Sequence, residues 1–322
     1  MNTSNTLVIN TKGLSKSYKG FMALKSLDLQ VHRNSIFGFL GPNGAGKTTT
    51  IRLLLGLIRP TSGSGALFGQ DITHDSLNIR KRIGYLAQEP SFYEYMTARE
   101  MLRFRAHFFY SGSNAEIESR ISKVLESVAL EDKADRPIKS FSTGERQRLG
   151  IAIAQINYPD LLILDEPAAS LDPMGRRDVL ETIKRLRKYS TVFYSTHILD
   201  DVQRVSDTVA ILNNGELIAQ APIEELLAGS GGIVYSVVIK GDYSELKRQI
   251  LKQVWVSSID VIPGDGQAIW QVRVTDDKVA EVRLLPLLVC DEHTTVTEFG
   301  RKKYKLEDIF INIVEGDNHV RK

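Results

Sequence analysis

The segment GPNGAGKTTT, residues 41–50, decides the fold of this 322-residue chain. The residues before it, SIFGFL, indicate a short buried strand, and TIRLLLGLI after it indicates a helix with an apolar face. Glycines let backbone N–H groups approach one point closely, and a helix N-terminus adds partial positive charge there. The segment therefore predicts a loop that binds a phosphate.

This loop meets the pattern G-x-x-x-x-G-K-[ST] in full. We predict that Lys47 reaches the β- and γ-phosphates of a nucleotide and that the Thr48 hydroxyl binds Mg²⁺. The alternative is a glycine-rich turn that happens to carry a lysine, and the strand and helix on either side argue against it. The predicted nucleotide-binding residues of the loop are Gly41, Pro42, Asn43, Gly44, Ala45, Gly46, Lys47, Thr48 and Thr49.

The composition is that of an ordinary globular protein, with 42% hydrophobic and 25% charged residues. The net charge of +2 gives no sign of a nucleic-acid partner. The single cysteine, Cys290, leaves no internal disulfide and no cysteine-based metal cage. Because the sequence has neither a signal-peptide pattern nor a long apolar run, we expect an intracellular protein that relies on another chain to span any membrane.

Short apolar runs alternate with amphipathic stretches up to about residue 225, which predicts a mainly parallel sheet with helices on both faces. Residues 7–32 instead indicate successive strands and a small antiparallel subdomain. The segment LAGSGG, residues 227–232, indicates a linker. We predict one nucleotide-binding domain over residues 1–228 and a C-terminal accessory α+β domain over residues 233–322.

The C-terminal domain carries four predicted strands, IVYSVVIKG, WVSSIDVIPGDG, AIWQVRVTD and TTVTEFG. Its predicted helices are YSELKRQILKQV, DKVAEVRLLPLLV with an interruption at Pro286, and LEDIFINIVEG. No cluster of catalytic residue types occurs in it.

The segment LLILDEP, residues 161–167, is a second motif with chemical meaning. Four apolar residues predict a buried strand that ends in two carboxylates, and the carboxyl end of a parallel strand faces the ligand crevice. We predict that Asp165 holds Mg²⁺ and that Glu166 polarises a water aimed at the γ-phosphate. The alternative, a strand followed by an ordinary acidic turn, is disfavoured by the phosphate loop upstream.

The third motif is FSTGERQRLGIAIAQ, residues 141–155. Ser142 is a good helix N-cap, and Gly144 lets another backbone approach closely. The chain thus has two helix N-termini suited to anions. One nucleotide cannot occupy both unless they lie side by side.

In this order, the three motifs resemble the ATP-binding subunits of ABC transporters. Over residues 1 to about 225, the resemblance implies a P-loop NTPase of ABC type, with a parallel sheet core, an antiparallel β subdomain and a helical subdomain. It also implies that Tyr18 stacks on adenine, that Gln88 binds Mg²⁺ and senses the permease, and that His197 contacts the γ-phosphate. Residues 170–172 correspond to the loop that crosses the dimer interface.

The resemblance further implies that two copies face each other with ATP between them. Each ATP would lie against Lys47, Thr48, Asp165, Gln88 and His197 of one copy and against Ser142 and Gly144 of the other, with Glu166, His197 and Lys47 as catalytic residues and Thr48, Gln88 and Asp165 as metal ligands. The signature segment departs from the family at Thr143 and Glu145. Because a carboxylate near the γ-phosphate is repulsive, we expect Glu145 to point away.

The C-terminal domain resembles the accessory domain of the ABC-2 type multidrug and lantibiotic exporter group. This resemblance implies export through a separate membrane permease, by a homodimer or paired subunit at the cytoplasmic face of the membrane. The aromatic segment PSFYEYMT, residues 90–97, is the expected contact with the permease. The alternatives are a soluble ABC-type ATPase acting on ribosomes or DNA, and a binding module with an inactive site.

Overall fold

The computed structural model describes residues 7–228, 233–264, 266–291 and 293–302. Tertiary contacts divide the chain into two compact units, Met1–Ile223 and Glu224–Lys322. This division coincides with the start of a short helix, Ile223–Ala228. The helix includes residues 227 and 228, so the predicted linker begins two residues too early. Residues 229–232 of that linker lie outside the described residues, and the boundary between 228 and 233 stays a prediction.

A six-stranded sheet forms the centre of the first unit. Its strands are β4 (Ile36–Leu40), β7 (Ile83–Leu86), β8 (Leu161–Asp165), β9 (Thr191–Thr196), β10 (Thr208–Asn213) and β11 (Glu216–Pro222), in the order β11-β10-β4-β9-β8-β7. The pairs from β10 to β7 are parallel, and β11 joins β10 in antiparallel orientation. Every residue of β4, β8 and β9 is buried, which explains their nearly continuous apolar sequences.

A second, antiparallel sheet is built from the N-terminal residues, as predicted. It contains β1 (Leu7–Tyr18), β2 (Phe21–Leu27), β3 (Gln30–His32), β5 (Ser62–Leu67) and β6 (Gln70–Asp71). The order is β2-β1-β5-β6, with β3 paired to β1. One hydrophobic core joins residues of this sheet to the central sheet, including Leu14, Phe37, Ile51 and Phe193. The rings of Phe37 and Phe193 stack with centroids 5.6 Å apart.

The helices of the first unit are α1 (Lys47–Leu54), α2 (Ser76–Arg80), α3 (Ala98–Ala106), α4 (Asn114–Ser127), α5 (Thr143–Gln155), α6 (Pro173–Leu186) and α7 (Leu199–Val205). Side chains cap the N-termini of α3, α4, α5 and α6, whereas α1, α2 and α7 have no side-chain cap hydrogen bond. Helices α3, α4 and α5 each start with a capping box, in which a Ser or Thr and the Glu three residues later satisfy each other's backbone N–H groups. These three helices contact one another and form the predicted helical subdomain.

Helix α8 (Ile223–Ala228) lies at the start of the second unit, with its first residue in the first unit. The second unit contains a four-stranded antiparallel sheet with its own core. Its strands are β12 (Ile233–Gly241), β13 (Val256–Gly264), β14 (Gln267–Val274) and β15 (Thr294–Arg301), in the order β13-β14-β12-β15, and its further helices are α9 (Ser244–Leu251) and α10 (Asp277–Val289). Trp270 is fully buried in this core. The predicted helix over residues 306–316 lies outside the described residues.

The predicted interruption at Pro286 is wrong, because α10 runs through it to Val289. Proline lacks only its own N–H, so one hydrogen bond is lost in the last turn. The fully buried side chains of Ala280, Leu284 and Leu288 hold the helix against the sheet on both sides of that position. Within the described residues, no helix is long and apolar enough to cross a membrane.

Candidate functional site

The candidate site lies where three neighbouring parallel strands end. Strand β9 lies between β4 and β8, with Leu40 beside Thr196 and Asp165 beside Ser195. The glycine-rich loop follows β4, His197 follows β9 and Glu166 follows β8. The sheet order therefore brings the first two sequence motifs to one edge, as expected for ligand sites of α/β sheets.

Two glycines of the loop are required by close backbone contacts. A Cβ atom at Gly41 would lie 2.4 Å from the carbonyl oxygen of Leu212. Gly46 has a φ of 105°, and a Cβ there would lie 2.6 Å from the carbonyl oxygen of Ala23. Because only glycine fits both places, the loop can enter helix α1 with its backbone N–H groups free of side chains.

Lys47 is held by three oxygen atoms. Its Nζ donates to the carbonyl oxygens of Gly41, at 2.6 Å, and Pro42, at 3.2 Å. The same atom lies 3.1 Å from Oε1 of Glu166, and both side chains are only 6% exposed. The ammonium is therefore fully paired, as a buried charge requires.

Asp165 connects the phosphate loop to strand β9. Its Oδ2 accepts a hydrogen bond from the Thr48 hydroxyl at 3.1 Å, and its Oδ1 accepts one from the Ser195 hydroxyl at 2.5 Å. The side chain is buried, with 1% exposure. Carboxylate and hydroxyl oxygens are ligands of the kind that Mg²⁺ prefers, so Asp165 and Thr48 fit this ion.

Glu166 has a strained backbone and a fixed carboxylate. Its φ is 51°, in the left-handed region that glutamate rarely adopts, and its N–H donates to the Ser195 hydroxyl at 3.0 Å. Its Oε2 lies 2.9 Å from Nδ1 of His197, which must carry the proton in this contact. Strain that the surrounding contacts maintain is typical of functional sites.

A cleft of about 410 Å³ lies in front of these groups. It is lined by Phe21, Ala23, Pro42, Asn43, Gly44, Gly46, Lys47, Thr48, Thr49, Gln88 and Glu166. The structure thus brings most of the predicted loop residues together with Gln88 and Glu166. Such a volume lies within the range of about 300–1,000 Å³ that is usual for small-molecule sites.

Known proteins are similar to this chain in sequence and in fold. Residues 24–169 match the protein family described as "ABC transporter". The bacitracin transport ATP-binding protein BcrA of Bacillus licheniformis is 41% identical over 221 residues, which cover 68% of this chain and 71% of BcrA. The daunorubicin/doxorubicin resistance ATP-binding protein DrrA of Streptomyces peucetius is 33% identical over 312 residues, covering 97% and 93%. The chain belongs to the ABC transporter ATP-binding proteins.

One solved structure that is similar to this ABC protein was determined in a state that follows ATP hydrolysis. The dimeric post-hydrolysis state of the ATP-binding cassette MJ0796, bound to ADP and Pi, aligns with a TM-score of 0.60 at 26% identity. The alignment covers 67% of this chain and 98% of that one. The predicted ABC fold and ATPase activity are confirmed, and the chain is the ATP-binding, ATP-hydrolysing subunit of a transporter.

The predicted adenine contact of this ABC protein stays a prediction. Tyr18 ends β1 opposite Phe21 and is 41% exposed, with Nζ of Lys16 5.2 Å from its ring centroid. It is not among the residues that line the cleft, whereas Phe21 is. The sequence reasoning missed Phe21, although an aromatic residue three positions after Tyr18, across a turn, was a usable signal.

Ser142 and Gly144 of this ABC protein are also absent from the cleft lining. Ser142 caps α5, and its hydroxyl accepts the N–H of Glu145 at 3.2 Å. The Glu145 carboxylate accepts the N–H of Ser142 at 2.8 Å and pairs with Lys133 at 2.7 Å. Burial alone would raise the pKa of Glu145, but the contacts with Lys133 and the Ser142 N–H outweigh it and lower the pKa.

The sequence reasoning also missed Ser195, whose hydroxyl contacts both Asp165 and Glu166 of the site. A small polar residue inside a fully buried strand, two positions before His197, was the signal for it. Within the described residues, no group of three or more His, Cys, Asp or Glu side chains could hold a metal alone. Sites that bind Mg²⁺ through one carboxylate and substrate phosphates have this character.

Proposed function

We propose that two copies of this chain pair around Mg-ATP and power export through a separate membrane permease. The observation that carries the proposal is the convergence of Lys47, Asp165, Glu166 and His197 at one edge of the central sheet. The chain would then act as a peripheral subunit at the cytoplasmic face of the membrane. The drug-resistance and transport functions in the names of DrrA and BcrA support export as the direction.

The pairing of two copies accounts for the second anion-binding helix end. Ser142 and Gly144 lie at the N-terminus of α5 and not in the cleft of their own chain, so they are available to a nucleotide held by a second copy. The dimeric form of the cassette MJ0796 supports this arrangement. Tyr18 remains our candidate for stacking on adenine.

The side chains of the cleft have complementary roles in phosphoryl transfer. Glu166, fixed by His197 and by its own backbone contact with Ser195, is placed to accept a proton from the attacking water. Lys47 supplies positive charge where the γ-phosphate develops negative charge. Mg²⁺, when held by Thr48, Asp165 and Gln88, would neutralise further phosphate charge.

The test is a Glu166→Gln variant of the full chain, compared with Glu181→Gln on the exposed side of α6. Loss of the base should lower ATP turnover by about 10²- to 10⁴-fold while ATP binding is retained. Light scattering after gel filtration with ATP should then show a dimer for Glu166→Gln. Normal turnover in that variant, or full activity in a strictly monomeric wild-type preparation, would contradict the proposal.

An exposed aromatic cluster is the proposed permease contact. Tyr93 packs against Tyr95 and Phe104, with ring centroids 6.0 Å and 5.8 Å apart, and Phe104 packs against Phe108 at 5.2 Å. All four side chains are exposed, with Tyr95 at 75%. An apolar helix of a membrane subunit would cover such a patch.

Glutamate substitutions at Tyr93 and Tyr95 should abolish co-purification of a polytopic membrane protein from detergent-solubilised membranes. Basal ATPase activity should persist, because neither side chain lines the cleft. Leu77→Glu is the matched control, since that leucine is 71% exposed and lies outside the cluster. Recovery of ribosomal proteins or DNA in place of a membrane protein would favour the alternative ATPase function.

A further inference from the structure

A second cavity, also of about 410 Å³, lies at the other end of strands β8 and β9. Pro159 and Ser190, which just precede these strands, form part of its wall. Asp165, Glu166 and His197 lie at or beyond the opposite ends of the same strands. The cavity shares no lining residue with the phosphate cleft, so it is a separate place on the molecule.

The wall of this cavity is cationic. Lys123 of α4, Arg185 of α6 and Lys188 just after α6 line it, against the single carboxylate of Glu126. Within the described part of the chain, none of the three cations forms an ion pair. Unpaired cations around one concave surface attract an anion.

Neighbouring cations on the same helix behave differently. Lys184 pairs with Glu181 at 3.4 Å, and Arg187 pairs with Asp207 at 2.9 Å. The dipole of a helix favours positive charge near its C-terminus, and this effect acts on Lys184 and Arg187 as well as on Arg185 and Lys188. Within the described residues, the Arg185 guanidinium donates only to the Glu181 carbonyl oxygen, at 3.4 Å, and to the Thr182 hydroxyl, at 3.3 Å, so no carboxylate neutralises its charge.

Two tyrosines give the cavity aromatic surfaces. Tyr158 and Tyr189 line it and are 52% and 77% exposed. The guanidinium of Arg120 lies 4.1 Å from the ring centroid of Tyr158 and 3.8 Å from that of Tyr110, which fixes the Tyr158 ring. Tyr158 also has a φ of 48°, in the left-handed region that a bulky residue rarely adopts.

A buried amide completes the wall. Gln155 is 8% exposed and lines the cavity. Its two hydrogen bonds are long, each 3.4 Å, to the Ser127 hydroxyl and the Ile151 carbonyl oxygen. An amide offers two donor hydrogens and an acceptor oxygen with two lone pairs, so Gln155 retains capacity for a ligand.

We propose that this cavity binds a nucleotide-like small anion, that is, a flat heteroaromatic ring that carries a phosphate. The phosphate contacts Arg185, Lys188 and Lys123, the ring stacks on Tyr158 or Tyr189, and Gln155 hydrogen-bonds to the polar edge of the ring. A few convergent polar groups in a concave site of this size are the usual features of a small-molecule site. The site is distinct from the one that binds ATP.

The test uses radiolabelled AMP and equilibrium dialysis on the full chain with a Lys47→Ala change, which weakens nucleotide binding at the phosphate loop. In this background, Arg185→Ala with Lys188→Ala should raise the Kd for AMP at least about tenfold. Lys184→Ala, on the same helix but paired with Glu181, should leave that Kd unchanged. Tyr189→Ala should also raise the Kd, and its high exposure keeps the fold intact.

Three outcomes would overturn the proposal. The first is no AMP binding at about 1 mM, and the second is an equal Kd in all variants, which would place AMP elsewhere. The third is displacement of AMP by inorganic phosphate alone as effectively as by unlabelled AMP, which would mean that the ring contributes nothing. Circular dichroism of each variant establishes that the fold is retained.

Discussion

At the residue scale, Ser195 ties the two acidic side chains of the site to the neighbouring strand. Its hydroxyl donates to Asp165 and accepts from the backbone N–H of Glu166. Both partners are almost fully buried, so neither can exchange this contact for water. The position of the Glu166 carboxylate thus depends on a residue that does not line the cleft.

Ser195→Ala should therefore lower both stability and ATP turnover. Leaving buried polar groups unpaired costs about 1–3 kcal/mol, and Asp165 and Glu166 lose their common anchor. Denaturant unfolding and steady-state ATPase assays measure the two effects. Ser190→Ala is the matched control, because its buried hydroxyl bonds to Pro159 at the far end of β9, at 2.6 Å. It should lose comparable stability and keep its turnover, and equal turnover in both variants would exclude a positioning role for Ser195.

At the element scale, helix α5 begins with a capping box that includes the unusual Glu145. The carboxylate is turned back onto the Ser142 N–H and Lys133. That its charge is directed away from a phosphate stays a prediction. A glutamine could replace the cap, because it also accepts the Ser142 N–H, but it cannot replace the ion pair.

Glu145→Gln should remove part of the pH dependence of stability. The lowered pKa means that the folded protein binds fewer protons at Glu145 than the unfolded chain does, so its contribution is present above about pH 4.5 and is lost as the pH falls through the folded pKa. Between about pH 7 and about pH 3, wild type should lose about 0.5–1 kcal/mol more unfolding free energy than the variant. ATPase activity should change less than about tenfold, which is under about 1.4 kcal/mol of activation free energy.

The pH comparison has its own control in Glu181→Gln, whose carboxylate pairs with Lys184 on an exposed face of α6. Denaturant titrations at both pH values give the unfolding free energies. An identical pH dependence in wild type and Glu145→Gln would show that the ion pair with Lys133 does not contribute to the pH dependence of the unfolding free energy.

Structural elements with a sequence pattern of a few consecutive residues could be predicted from the sequence. Contacts between segments that are distant in the sequence could not. The loop at Gly41, the strand before Asp165 and the cap at Ser142 follow from patterns within ten or so residues. Ser195 and Phe21 required the register between strands, which depends on packing and is not encoded locally. The predicted interruption of the helix at Pro286 is wrong because the tertiary packing of α10 outweighs the loss of one hydrogen bond.

At the scale of the whole molecule, two units each have their own core. The first contains the phosphate cleft, and the second is built around Trp270. A ligand stabilises only the folded unit that binds it. We therefore expect calorimetry to show two thermal transitions and ATP to raise the midpoint of only one of them.

Trp270→Ala should destabilise the transition that ATP does not shift, by about 3–5 kcal/mol, because a fully buried tryptophan leaves a large cavity. Val282→Ala, at a side chain that is 71% exposed, serves as the control and should change neither transition. Loss of the ATP-dependent shift in Trp270→Ala would mean that the two cores are energetically coupled.

The ammonium of Lys47 has as many oxygen neighbours as it has protons, and one of them belongs to Glu166. A triphosphate that recruits this cation must exchange with one of those neighbours. If the carboxylate is the one exchanged, Oε1 of Glu166 is released from Lys47 only after the triphosphate has bound. Substrate binding would then itself activate the proposed base, and an empty cleft would keep it neutralised.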